Sequence, residues 1–181
     1  PASAPEAYKR QHHTQTSTRT TITELQVALT IAAVLMAFAL PAFNDFTVQR
    51  QMTANVNQFI SAISYARSEA TRLGGDVSLQ SADAADNANE WGPGFCVTAG
   101  DPGNCDAPLR NFTLEGTVTL NAQGANLNNE PTMTFNSRGM LQDELAGTIE
   151  LCGADADDDP GREIRINALG RANVVRFVCF P

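Results

Sequence analysis

Chemistry has few places to sit in this chain. Its four cysteines, Cys96, Cys105, Cys152 and Cys179, form no C-x-x-C pair, and both histidines, His12 and His13, fall within the first 19 residues. The remainder therefore holds no thiolate–imidazole zinc site. An even cysteine count behind a membrane-length segment points to disulfides in an oxidising compartment. Of the pairings open to these cysteines, the favoured one joins Cys96 to Cys105, closing a short loop, and Cys152 to Cys179, tying down the last strand. Free buried thiols are the alternative.

Catalytic constellations are missing from the sequence. Beyond residue 19 there is no histidine, no phosphate-cradling glycine loop and no G-x-S-x-G elbow. Asp143-Glu144 reads as loop charge rather than an acid–base pair. The expectation is a protein that is not an enzyme, with no cofactor and no metal. Asp155, Asp157, Asp158 and Asp159 offer the oxygens calcium favours, but not at EF-hand spacing, so a solvated acidic turn is the reading. Arg162, Arg165, Arg171 and Arg176 make the C-terminal region the one basic stretch. On a strand hairpin they would form a phosphate-binding row, with ion pairs to Glu163 and the nearby aspartates as the alternative. Trp91 is expected to pack at a strand entry.

The formal net charge is −8, from 12 basic and 20 acidic residues. Without Lys9, Arg10, Arg19 and Glu6, the chain from Thr20 carries 9 basic and 19 acidic residues, net −10. Such a field repels nucleic acid, so DNA contact requires a local arginine patch.

Residues 1–19 form a polar leader with Lys9, Arg10 and Arg19 as its cations. From Leu25 to Asn44 no residue is charged, and that length suffices to cross a bilayer as a helix. A basic leader before an apolar run has the form of an export signal kept cytoplasmic on its basic side. Glu24 sits at the mouth of the run, and Pro41 is expected to kink its far end. Apolar residues then continue at Met52, Val56, Phe59, Ile60, Ile63, Ala66, Ala70 and Leu73, the spacing of one helix face, until Gly74-Gly75. Arg50, Asn57, Ser64, Arg67, Ser68 and Arg72 fall mostly on the other faces. The spacing predicts one helix of about 50 residues.

After Asp76 short β-prone runs alternate with Gly, Pro, Asn and Asp clusters. Strands are expected near 77–80, 94–98, 117–121, 132–136, 148–152, 163–167 and 173–179. The expected core is Phe95, Leu114, Val118, Leu120, Met133, Phe135, Ile149, Leu151, Ile164, Ile166, Val174 and Phe177. No internal repeat is evident. The fold class is α+β: a long N-terminal helix, apolar first and amphipathic second, packed on an antiparallel β-sheet body. The divisions are a leader (1–19), a transmembrane or assembly half-helix (20–45), an amphipathic half-helix (46–75) and a β body (76–181).

These blocks resemble a known family. The stretch around Glu24, with its apolar run and Pro41, resembles the N-terminal segment of type IV pilins and pseudopilins. Tyr65-Ala66-Arg67-Ser68-Glu69-Ala70, Trp91-Gly92-Pro93-Gly94-Phe95, Met133-Thr134-Phe135-Asn136-Ser137-Arg138-Gly139 and Gly161-Arg162-Glu163-Ile164 leading to Leu169-Gly170-Arg171 are similar to FimT/GspH-type minor pilins. The resemblance implies cleavage by a prepilin peptidase between Arg19 and Thr20, followed by N-methylation. It implies that Glu24 accepts the terminal ammonium of a neighbouring subunit, and that Pro41 is the helix-kinking proline. Implied partners are other minor and major pilin subunits, the inner membrane and its assembly platform, and, in the FimT branch, DNA for uptake. The implied location is the bacterial inner membrane, single-pass with a periplasmic body, then a pilus or pseudopilus. A type II secretion pseudopilin and a DNA-binding receptor using the C-terminal arginines are the alternatives. Two departures stand out: Arg19 replaces the glycine usual at the cut, and Gly170-Arg171-Ala172-Asn173 lacks the second arginine of a G-R-x-R element.

Overall fold

The computed structural model describes residues 21–82, 90–100, 105–116, 118–123, 132–142, 147–153 and 160–179, without the side chains of residues 40–42, 123 and 160. The chain divides into two units, residues 1–43 and 44–181. One helix, α1 (Ile22–Leu73), begins in the first and ends in the second.

In the first unit the large apolar side chains of α1 that the structure describes are exposed, with Leu29 at 62% and Phe38 at 75%. In the second unit Met52, Val56, Phe59, Ile63, Ala66 and Ala70 are buried, and their steps of four and three place them on one face. Ile60 is half-buried at the margin of that face, whereas Leu73, expected to belong to the stripe, is exposed in the last turn. The helix ends where the Gly74 N–H bonds the Ala70 carbonyl at 3.0 Å.

The β body holds eight strands: β1 (Val77–Ser81), β2 (Phe95–Ala99), β3 (Arg110–Phe112), β4 (Val118–Gln123), β5 (Thr132–Phe135), β6 (Gly147–Gly153), β7 (Pro160–Ile166) and β8 (Ala172–Val178). They form two four-stranded antiparallel sheets, ordered β3-β2-β1-β5 and β4-β6-β7-β8. β3 was not expected from the sequence. At three residues it is too short to show a period-two pattern.

Both sheets contribute to one core with α1. Leu79, Phe95, Val97, Met133 and Phe135 come from the first, and Leu120, Ile149, Leu151, Ile164 and Ile166 from the second. Phe59 meets Trp91 and Phe95 edge-on, at ring-centroid distances of 5.4 and 5.0 Å. Trp91 is fully buried in the turn before β2. Leu114 and Val174 reach only the margin of the core. Phe177 is half-buried, because pleat alternation places it on the face opposite Ile164 and Ile166.

Polar residues of the helix fasten the segment between the sheets. Buried Asn55 donates to the Glu115 carbonyl at 2.9 Å and accepts from the Glu115 N–H at 3.0 Å. One helical turn on, Gln58 donates to the Thr113 carbonyl at 2.8 Å. This satisfies backbone groups that burial would otherwise leave unpaired.

Candidate assembly and interaction surfaces

The N-terminus of α1 is closed by a reciprocal cap. The Thr21 hydroxyl accepts from the Glu24 N–H at 3.3 Å, and Glu24 Oε2 accepts from the Thr21 N–H at 2.8 Å and from its hydroxyl at 2.9 Å. This capping box satisfies two donors that a helix start leaves orphaned, and it sets a carboxylate at the positive end of the helix. From there the exposed apolar run begins. Among the described residues, α1 is the one helix long and apolar enough to cross a membrane. Arg19 and Thr20 lie outside the described residues, as does the Pro41 side chain. The backbone of α1 is assigned as helix through Pro41.

The structure pairs Cys96 with Cys105 and Cys152 with Cys179. Buried Gln80 points its amide at both sulfurs of the first pair, at 3.4 Å from Cys96 Sγ and 3.8 Å from Cys105 Sγ. The second pair passes over Gly161. A Cβ there would meet Cys179 Sγ and the Leu151 carbonyl oxygen, the latter at 2.7 Å, so only glycine fits beneath the bridge.

The four C-terminal arginines do not form one row. Arg162 and Arg176 are register partners and share the face of Ile164 and Ile166. Arg165 and Glu163 lie on the other face, joined in an ion pair. The hydrogen bond that Arg165 donates to Glu163, with the charge of that carboxylate, raises the Arg165 pKa above the ordinary guanidinium value. Arg171 stands in the turn before β8. Strand parity causes this separation, because an odd spacing from residue 162 to 165 reverses the face. Arg162 is half-buried and donates to the Gly161 carbonyl at 2.9 Å and to Gln49 Oε1 on the helix at 3.2 Å. Arg176 is exposed, and no ion pair or hydrogen bond holds its side chain among the described residues. The acidic residues Asp155 to Asp159, and Asp143-Glu144, lie outside the described residues.

The structure also contains a repeat that was not expected. Asn136-Ser137-Arg138-Gly139 and Asn167-Ala168-Leu169-Gly170 are matching turns, one after β5 and one after β7. In each, the asparagine Oδ1 accepts two backbone N–H groups: from Arg138 and Met140 at 2.9 and 3.2 Å, and from Leu169 and Arg171 at 3.1 and 2.9 Å. Each turn ends on a glycine with positive φ, 70° at Gly139 and 68° at Gly170. Both turns pack on Arg67, whose Nε donates to the Gly139 carbonyl at 2.9 Å. The signal available in the sequence was the N-x-x-G spacing, which is short enough to pass unnoticed among loop residues.

Comparisons with known proteins agree with this architecture. A family model described as Type II transport protein GspH matches residues 55–170. Comparison with curated protein sequences gives no match. A crystal structure of the type IV minor pilin FimU of Pseudomonas aeruginosa is similar, with TM-score 0.59 and 25% identity, over 72% of this chain and 92% of that one. A second crystal form of FimU gives 0.56 and 25%, over 68% and 91%. The minor pseudopilin EpsH from the Type 2 Secretion System of Vibrio cholerae has a TM-score of 0.48 at 13% identity, over 69% and 96%, too remote to bear on this chain. The matched range starts within the amphipathic half of α1, runs through β1 to β7 and the second Arg67-packed turn, and stops before β8. The chain therefore belongs to the GspH family: it is a minor pilin or pseudopilin of the type IV pilus and type II secretion class, a structural protein of pilin-like α+β fold rather than an enzyme.

Proposed function

We propose that this protein is a FimT-like minor pilin of a type IV pilus. It is held in the inner membrane by the apolar run of α1 with its body in the periplasm, and is then drawn into the filament or its tip to prime assembly. The observation that carries this reading is the likeness to the minor pilin FimU across 92% of that chain. The exposed, uncharged run of α1 that starts at Leu25 supports it, since such a surface gains from lipid or from neighbouring apolar helices and not from water. Prepilin peptidase would cut before Thr20, and the new terminal ammonium of a neighbour would compete with the Thr21 cap for Glu24. Glu24→Ala is expected to leave the body folded and the protein in the membrane but absent from sheared pili. Normal incorporation of that variant overturns the assembly role. Mass spectrometry of the native N-terminus tests the cut, the expected product being a methylated chain starting at Thr20.

A second reading is a type II secretion pseudopilin, favoured by the description of the matched family model. Partners recovered with the cross-linked protein separate the two: pilus minor pilins, or a secretion pseudopilus. DNA capture has weaker support, because the arginines offered for it fall on two faces and a turn.

A further inference from the structure

The two disulfides sit in unlike surroundings. Gln80 on β1 and Cys96 on β2 are register partners, and pleat alternation puts both side chains on the sheet face opposite Leu79 and Val97. The Gln80 side chain is therefore held directly across from the Cys96 sulfur. Its amide nitrogen lies 3.4 Å from Cys96 Sγ and 3.8 Å from Cys105 Sγ, donating toward both. Gln80 and Cys96 are buried, at 3% and 1% exposure, whereas Cys105 is half-buried.

The second bridge repeats the burial but not the polar group. Cys152 is half-buried and Cys179 fully buried. The Leu151 carbonyl lies 3.8 Å from Cys179 Sγ, an acceptor where the first bridge has a donor. No side-chain or backbone N–H donates to either sulfur of this pair.

Opening a disulfide by exchange places a negative charge on one of its sulfurs. The incoming thiolate must reach the sulfur it attacks, and the other sulfur leaves faster the better its thiolate is stabilised. An N–H aimed at the leaving sulfur stabilises it through a charge-assisted hydrogen bond, whereas apolar burial opposes the charge. In the first bridge, access directs attack to Cys105, and the nearer amide of Gln80 assists departure of Cys96. In the second, departure of Cys179 would leave a buried thiolate facing a carbonyl oxygen.

We infer that Cys105 is a thiol-exchange site, the sulfur at which an external thiolate enters, and that Gln80 stabilises the Cys96 thiolate released there. The external thiolate forms a bond to Cys105 Sγ as the Cys96–Cys105 bond breaks, and the electron pair leaves on Cys96 Sγ. The external sulfur is oxidised, the Cys96 sulfur is reduced, and no proton is needed in the step. Run backwards, the same step closes the bridge from a mixed disulfide on Cys105. Exchange there unties two residues nine apart in sequence, while Cys152–Cys179 still joins β6 to the residue after β8. The inference goes beyond the pilin reading and does not rest on it.

The test treats the oxidised full-length protein, in detergent micelles, with reduced glutathione. Samples are quenched rapidly with N-ethylmaleimide and mapped by peptide mass spectrometry. The expected first product carries glutathione on Cys105 and maleimide on Cys96, with Cys152–Cys179 intact. Gln80→Leu removes the donor at similar volume, and should slow opening of the first bridge by about tenfold while the second bridge keeps its rate. Glutathione on Cys96 overturns the inference, as does opening of Cys152–Cys179 first or at the same rate. Wild-type kinetics in Gln80→Leu also overturns it. So does an opening rate in the unaltered protein equal to that of global unfolding, read from amide exchange of buried Leu79. The site of attachment is read on the unaltered protein, so a Gln80 variant that fails to fold does not shield the inference.

Discussion

The two halves of α1 are built from similar apolar residues and meet opposite fates. Val34 and Phe38 in the first half are exposed at 55% and 75%, whereas Met52 and Phe59 in the second are fully buried. The difference lies in pattern rather than in hydrophobicity. In the first half apolar side chains surround the helix, so no single face is reserved for a core. In the second, polar residues such as Thr53, Asn57, Ser61 and Ser64 take the exposed side, leaving one stripe for the two sheets. A helix apolar all round requires an apolar surrounding, and a helix with one stripe requires a folded body.

Substitutions confined to one half should therefore register in different measurements. Phe59→Ala removes the ring that meets Trp91 and Phe95, and is expected to lower the stability of the body by about 4 kcal/mol in denaturant titration while membrane partitioning stays the same. A small loss would mean that the stripe is not the core of the second unit. Val34→Arg should do the reverse: insertion weakens by about 3 kcal/mol in a membrane-insertion assay, with the melting of the body unaltered. Co-sedimentation with membranes as strong as wild type would break the contrast. Asn55→Leu keeps the volume but leaves the Glu115 backbone unpaired, and should cost about 2 kcal/mol of stability. If that variant is neutral, the apolar stripe alone seats the helix.

Much of this architecture was legible from local pattern. The helix end at Gly74, the buried series from Met52 to Ala70, and strands close to β1, β2, β5 and β6 follow from residue spacing alone. What escaped has a common cause. The split into two sheets depends on β1 pairing with β5 across the residues between them, a nonlocal choice without a local signature. The role of Asn55 was hidden because a buried amide and an exposed one look identical in sequence until a backbone segment is placed against it. Arg67 read as an outer-face charge, yet it is half-buried between two matching turns. The arginine row failed for a simpler reason, since strand parity in the sequence already separates Arg165 from Arg162.

The sequence by itself determined the kind of molecule. An uncharged run ahead of an amphipathic helix, with a capping acid before it and an acidic β-prone body after it, leaves few architectures open, because hydrophobic periodicity is a local property of the chain. Only the tertiary structure decided how an edge strand is closed. Glu90 protects β4 by accepting the Ala122 N–H, because edge protection arises from residues distant in sequence meeting at a backbone they do not belong to.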